Sequence, residues 1–504
     1  MSNSPGSAGY PVIVGVGQVT NRAQTTDDSI EPVELMAQAA RLADDDAGGG
    51  LLSRIDSLQV VNLMSWPYPD APGLLASLIG AEPAQTYYSG IGGETPQRLV
   101  NETAEAIVAG RMRVALIAGA EAMHTRGLAR KEGAQLAWAA RGTPERTLAN
   151  SRLGFSDVEG LHGAVLPTRV YPLFENAIRA DAGRSIDEHQ AYLGSLCARF
   201  TEVAAANPYA WFPQKRTAEE IVTVSPDNRW VAFPYPKLMT AIMQVDQGAA
   251  LLLMGDETAR EMGVPEEKWV YLHGCGDADD KWFVSDRVDY HRSPAIRAAT
   301  TRALGMAGTS VDEIDMFDLY SCFPAAVQLA LGALGLKADD PRPLTLTGGL
   351  PYAGGPGNNY VSHSIATAVE RLRENPDARA LVTGLGWFAT KHSVGVYSAQ
   401  RPSGEWQRTD PQADQAALDA MDSPPQAPEP AGDATVEAYS VAFGREGEPE
   451  QCIVIGRLAG GERFIANTPA DRELMWSMTR EEFVGQKGSV NHDSATGRNV
   501  FEPA

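Results

Sequence analysis

Thr86-Tyr87-Tyr88-Ser89-Gly90-Ile91-Gly92-Gly93-Glu94-Thr95-Pro96-Gln97 and, a helix's length later, Val114-Ala115-Leu116-Ile117-Ala118-Gly119-Ala120-Glu121-Ala122-Met123 make up the stretch that sets the fold. Val100, Ala104, Ile107 and Val108 fall on one helical face, so the spacing predicts a helix between the two runs. Residues 114–118 are apolar throughout, without alternation, as in a strand buried on both faces. The order is glycine loop, helix, buried strand. The helix opens at Gly92-Gly93 with free backbone amides, a place suited to a negative or polarised group. The loop itself supplies no reactive side chain.

Outward from this stretch the chain follows one plan and then repeats it. Residues 10–16 (YPVIVGV) read as a strand, 29–43 as a helix with Pro32 in its first turn, and 54–62 as a second strand. The order β-α-β-α-β implies a parallel sheet covered by helices. From 126 to 231, turn signals, scattered aromatics and helical pieces take over, which reads as a large insertion. Gln247-Gly248-Ala249-Ala250-Leu251-Leu252-Leu253-Met254 then returns as a strand completing the first sheet.

After Trp269 the plan recurs. A helix is predicted over 292–303 with Pro294 near its start, and residues 313–320 echo 54–62. Gly354-Gly355-Pro356-Gly357 opens a helix carrying Ile365, Ala368, Val369 and Leu372, and residues 380–384 form the buried strand. Gly92-Gly93 and Gly354-Gly355 are 262 residues apart, as are Pro32 and Pro294. A constant offset of this kind marks a duplication.

Residues 401–433 carry six prolines and seven acidic residues, so they read as an extended linker. Beyond 435 the texture is of short strands: Tyr439, Val441 and Phe443 alternate, 452–455 is apolar, and Gly460-Gly461 is a two-residue hairpin signal. A small antiparallel β-barrel, OB-like, is expected there. The fold class is therefore α/β. Its units are a first half from 1–125 and 238–264, an insert at 126–237, a second half at 265–400, a linker at 401–434 and a barrel at 435–504.

At 504 residues the chain exceeds one domain core, and its 43% hydrophobic and 21% charged residues are those of an ordinary globular protein. A net charge of -22 argues against nucleic-acid and anionic-membrane partners, which need basic patches. Residues 1–7 lack the basic and apolar regions of a signal peptide, and no apolar run is long enough to span a bilayer. Cys197, Cys275, Cys322 and Cys452 are scattered with no CxxC pair, which favours free thiols over disulfides or a metal site. A cytoplasmic location is expected.

With these elements placed, the chain resembles the thiolase superfamily over residues 8 to 400. Ala104-Glu105-Ala106-Ile107 through Met123 is similar to the segment after the thiolase nucleophile, and 247–254 to the family's DGAAA strand. Gly384-Leu385-Gly386-Trp387 with Thr390-Lys391-His392-Ser393-Val394-Gly395 is similar to the C-terminal catalytic loop, closest to sterol-carrier-type thiolases and their bacterial relatives. The resemblance implies a thiolase fold of two duplicated halves with an inserted loop domain. It also implies a cysteine nucleophile at a helix N-terminus, an asparagine, a histidine and a second cysteine as acid and base. Carried over, those four positions fall on Gly93, Tyr320, Gly355 and Gly384.

Glycine cannot attack, protonate or donate. Loss of the thiolate alone costs on the order of 10⁴-fold in rate, and the groups of a catalytic unit fail together. The expectation is a thiolase-like protein that binds acyl-CoA or a related thioester, requires no other cofactor or metal, and performs no classical thiolysis or Claisen condensation. Two alternatives stand beside it. One is an acetyl-CoA acetyltransferase-type acyltransferase using Cys322 and His392; the other is a scaffold for another enzyme of acyl-CoA and lipid metabolism, docked through the barrel.

Cys322 is read either as a relocated nucleophile or, preferably, as a small buried residue beside Phe323. His392 and Lys391 either contact a thioester carbonyl or are satisfied by the loop. Tyr320 either fills the space of the asparagine or bonds a ligand. His363 is read as structural. Lys215, Arg216 and Arg229 in the insert are expected to meet coenzyme A phosphates, as the loop domain does in thiolases. The resemblance implies a homodimer, whereas Gly90 and Gly92 weaken strand pairing across such an interface and argue for a monomer.

Overall fold

The structure is a computed structural model describing residues 9–144 and 152–504; the signal-peptide reading of 1–7 lies outside them. The first half contributes strands β1 (Pro11–Thr20), β2 (Ser57–Val60), β3 (Gln85–Tyr88) and β4 (Val114–Ala122). The insert holds helices Pro167–Asp181 and Ile186–Ala206 and two short strands, β5 (Trp230–Phe233) and β6 (Tyr235–Pro236). The chain returns through β7 (Asp246–Gly255). The second half carries β8 (Val270–Asp279), β9 (Met316–Asp318), β10 (Arg379–Gly386) and β11 (Lys391–Ser398).

The expected parallel sheet is in fact mixed. β2 lies parallel to β3 and β4, while β7 is inserted between β4 and β1, antiparallel to both. In the second half β11 occupies the same place, antiparallel to β8 and β10, with β9 parallel to β10. The halves meet where β1 pairs with β8 over two rungs, Val12 with Tyr271 and Ile13 with Val270. Together they form one nine-stranded sheet. Predicted strand ends shrink, from 54–62 to Ser57–Val60 and from 313–320 to Met316–Asp318. The helices of 29–43 and 292–303 are observed as Pro32–Asp46 and Pro294–Ala307, each with its proline in the first turn.

Glycines carry the duplication into three dimensions. A Cβ on Gly15 or Gly17 of β1 would overlap the carbonyl oxygens of Ala43 and Ala39 in the Pro32–Asp46 helix. A Cβ on Gly274 or Gly276 of β8 would overlap those of Ala303 and Ala299 in the Pro294–Ala307 helix. Each half thus uses two glycines to bring a helix against its junction strand. The Thr95–Val108 and Tyr360–Glu374 helices, which follow the two glycine loops, pack on one another and are buried along most of their lengths. Tyr397 donates to Gln97 at 2.8 Å and Asn359 to the Gly119 carbonyl at 2.7 Å, so polar links cross between the halves.

The insert is pinned by a buried carboxylate. Glu175 accepts from the Tyr235 hydroxyl at 2.6 Å, from Gln328 at 2.5 Å, and pairs with His189 at 2.7 Å. Two insert helices, a loop strand and the Pro324–Leu334 helix of the second half are fixed by that single group.

The stretch 401–434 is not extended throughout. Trp406 is buried and donates to the Leu272 carbonyl at 2.8 Å, and Arg408 reaches Asp277 at 2.7 Å and Glu105 at 2.8 Å. Residues Gln412–Asp419 form a helix whose Asp414 accepts from Arg302. This segment is a strap bound to both halves; its prolines and acids do not keep it off the surface.

The last strands, β12 (Gly432–Phe443), β13 (Pro449–Leu458), β14 (Arg463–Asn467), β15 (Lys487–Asp493) and β16 (Arg498–Pro503), close a five-stranded barrel. Pairing runs β12-β13-β14-β16-β15 and back to β12, with β14 and β16 parallel and a short helix, Arg472–Ser477, between β14 and β15. That is the closed Greek-key arrangement expected of an OB-like barrel. Its sheet extends into the insert: Val441 pairs with Phe233 and Ala442 with Ala232, and Phe233 joins the barrel core of Val436, Tyr439, Val454 and Phe501. Buried Arg179 binds Glu482, and Asn176 donates to the Tyr439 carbonyl at 3.0 Å.

Candidate functional site

Of the four positions carried over from the resemblance, Gly93 packs against Tyr320 and Gly384 against Glu94, the residue after Gly93, while Gly355 packs against Ile242 and Leu350. Gly93 sits at the entrance to the Thr95–Val108 helix and is buried. A Cβ there would lie 2.7 Å from Tyr320 Cζ and 2.5 Å from the Leu385 carbonyl oxygen, and closer still to the Tyr320 hydroxyl. The phenol therefore fills the space a nucleophile's side chain would take. Tyr320 is held by its amide donating to Thr383 Oγ1 at 2.8 Å and by an edge contact with Tyr360 at 5.6 Å. Burial holds its hydroxyl far above the ordinary phenol range, so it is neutral.

Gly384 is closed from the other side. A Cβ on it would come within 2.8 Å of Glu94 Cα. Gly355 donates its amide to the Ile242 carbonyl at 2.8 Å. A small void beside Tyr320 and Gly384, lined also by Ile296, Leu385 and His392 and not by Gly93 or Gly355, holds about 10 Å³. That is about the minimum for one water.

Glu94 is the residue that sequence reasoning missed. It follows Gly93, its side chain is 2% exposed, and Oε1 pairs with Lys391 Nζ at 2.6 Å. Lys391 also donates to the Ile91 carbonyl at 2.6 Å, while Glu94 Oε2 has no hydrogen-bond partner among the described residues. The available signal was an acidic residue directly after Gly-Gly at a helix start.

His392 borders the small cavity but turns to protein groups: Nε2 lies 3.1 Å from the Ala389 carbonyl and 3.7 Å from Asp280. Burial alone would raise the Asp280 carboxyl, but His392, Arg287 and Ser293 hold it below its usual range. Cys322 is not in this group. It faces Tyr171, and burial pushes its thiol up to about 12, the opposite of an activated thiolate. His363, read as structural, is buried in its helix with Nδ1 2.9 Å from Gln18 Oε1, and burial lowers it to about 3. Each of the three basic candidates of the insert has its own protein partner. Lys215 pairs with Glu202 at the surface, Arg216 reaches Gln214, and Arg229 donates to the Trp230 carbonyl. No cluster of three or more metal-binding side chains occurs among the described residues.

A monomeric SCP2-thiolase-like protein type 1 from Mycobacterium smegmatis is 37% identical, with a TM-score of 0.85 over 98% of this chain and 99% of that one. The chain belongs to the SCP2-thiolase-like protein type 1 family. A family model for the thiolase-like protein type 1 additional C-terminal domain matches residues 415–495, so this domain spans the second part of the strap and most of the barrel. The acetyl-CoA acetyltransferase of Methanocaldococcus jannaschii is 26% identical over 191 residues, 38% of this chain and 46% of that protein. The chain thus matches under half the length of that curated relative. An Ltp2-ChsH2(DUF35) aldolase shares the fold at 18% identity and a TM-score of 0.60, over 78% of this thiolase-like chain and 98% of that one. Among the described residues, no helix is long and apolar enough to cross a membrane.

Proposed function

We propose that this thiolase-like protein keeps the thiolase body without thiolysis or Claisen chemistry at the glycine loops, and serves in binding an acyl-CoA or a related thioester. The observation that carries the reading is Tyr320 in the space over Gly93. A thioester needs a nucleophile within about 3–3.5 Å of its carbonyl carbon, and here a neutral phenol and two glycines meet it instead. The likeness to acetyl-CoA acetyltransferases supports the ligand class. Cys322 with His392 is disfavoured as a substitute catalytic pair, since the thiol is protonated and the imidazole is turned to Asp280. We read the protein as a cytoplasmic monomer, in line with the monomeric mycobacterial relative.

The same occupation of the space over Gly93 by Tyr320 suits a second reading, in which the protein is a scaffold that another enzyme of acyl-CoA metabolism contacts through the barrel. Calorimetric titration with CoA and acetyl-CoA, beside a thiolysis assay on acetoacetyl-CoA, separates the two. Binding without turnover supports the first reading, absence of binding moves the weight to the scaffold, and turnover sinks both.

A further inference from the structure

The Pro294–Ala307 helix and the strap enclose a cleft of about 920 Å³, within the usual size range of small-molecule sites. Four guanidinium side chains line it, from Arg297, Arg302, Arg379 and Arg401, against two carboxylates, Glu405 and Asp414. In a chain of net charge -22 the general field repels anions, so four arginines in one cleft make a local exception.

Two of the four are occupied in holding the fold. Arg302 binds Asp414 and Thr409, and Arg401 binds Asp256 at 2.8 Å. The other two have no close carboxylate partner among the described residues. Arg297 donates to the Gly332 carbonyl at 3.0 Å and has no carboxylate within ion-pair distance among the described residues. Arg379 lies 3.7 Å from Glu313 with both side chains exposed, an arrangement worth little in water. Planar guanidinium forks with free N–H groups match phosphate oxygens in pairs.

The cleft is separate from the glycine-loop site. β10 begins at Arg379 and ends at Gly386, and β11 runs back from Lys391 to Ser398 beside the cleft. The cleft and the small void by Tyr320 and His392 share no lining residue, although Ile296, next to Arg297, lines the void.

We infer that this cleft binds a small polyanion carrying two or more phosphate groups, with Arg297 and Arg379, whose charges are the less neutralised, as its anchors. The inference is independent of the thioester reading. It is tested by calorimetric titration of the full chain with inorganic pyrophosphate, ADP and CoA at low salt. The same titrations are made with Arg297→Gln, Arg297→Glu/Arg379→Glu and Lys215→Ala/Arg216→Ala. Saturable pyrophosphate binding is expected, weakened several-fold by the single change, at least about tenfold by the double charge reversal, and unaltered by the insert variant. Arg297→Gln alters an exposed side chain, so its melting temperature should match the parent and leave the binding result readable. No saturation by about 10 mM pyrophosphate or ADP would overturn the inference, as would equal affinity in Arg297→Gln. CoA binding lost in the same variants identifies CoA's own pyrophosphate as the source. Pyrophosphate and ADP binding without CoA binding supports the cleft and removes the thioester reading alone.

Discussion

Tyr320 and Gly93, from opposite halves of the duplication, share one space: a Cβ on the glycine would lie 2.7 Å from the tyrosine Cζ. Alanine at 93 is therefore expected to cost about 1–3 kcal/mol by overpacking. Tyr320→Ala removes part of the clash, so the double variant should be less destabilised than the sum of the singles. Urea denaturation of the four proteins gives the cycle, and strict additivity would show that the contact is not felt. Gly93→Cys alone is expected to give no thiolysis, because the phenol still stands over it.

Lys391 neutralises a carboxylate that has almost no water. Lys391→Ala leaves Glu94 buried and unpaired, an expected loss of about 3–5 kcal/mol. Changing both to uncharged residues of similar size, Glu94→Gln with Lys391→Met, should recover most of it. Equal midpoints for Lys391→Ala and the parent in chemical denaturation would contradict this.

Two buried groups set opposite pH slopes. Burial pushes the Glu121 carboxyl up from 4.5 to about 7, although the Met64 and Ser65 amides donate to it. An acid raised on folding favours the folded state while protonated. Its contribution is whole below about pH 4.5 and is lost as pH climbs to about 7, on the order of 3 kcal/mol. His363 is a base lowered from 6.5 to about 3, so its contribution is whole above 6.5 and lost as pH falls toward 3. Glu121→Gln should flatten the neutral limb of a stability-pH profile and His363→Leu the acid limb. A profile unchanged by either substitution would refute the assignment.

All four cysteines are buried, and burial pushes the Cys197, Cys322 and Cys452 thiols up to about 12 and Cys275 higher. A disulfide reagent should therefore label the native protein only as fast as it opens, and all four thiols at once in denaturant. One rapidly reacting native thiol, if it proved to be Cys322, would revive the acyltransferase reading.

Much of this was legible in the chain. The 262-residue offset, the two glycine loops and the alternation past 435 are local signals, and each matches an observed element. What escaped depends on contacts between distant residues. Nothing local says that Tyr320 lands on Gly93, or that Lys391 reaches Glu94. The prolines and acids of 401–434 predicted an extended linker, yet Trp406, Arg408 and Asp414 find partners that composition does not display. The insert's basic residues were read as a phosphate site by position alone, and in the fold each also has a protein partner: Glu202, Gln214 and the Trp230 carbonyl.

The two rungs joining β5 to β12 bear on how the protein is made. Trp230–Phe233 emerges during synthesis long before Val441 and Ala442 exist to pair with it, and Phe233 must wait for the barrel core it completes. Until then an aromatic strand lies uncovered, the kind of segment that recruits other nascent chains. A chain stopped after Ser398 would remain in that condition, so cutting off the barrel is expected to yield aggregates and not a smaller soluble protein.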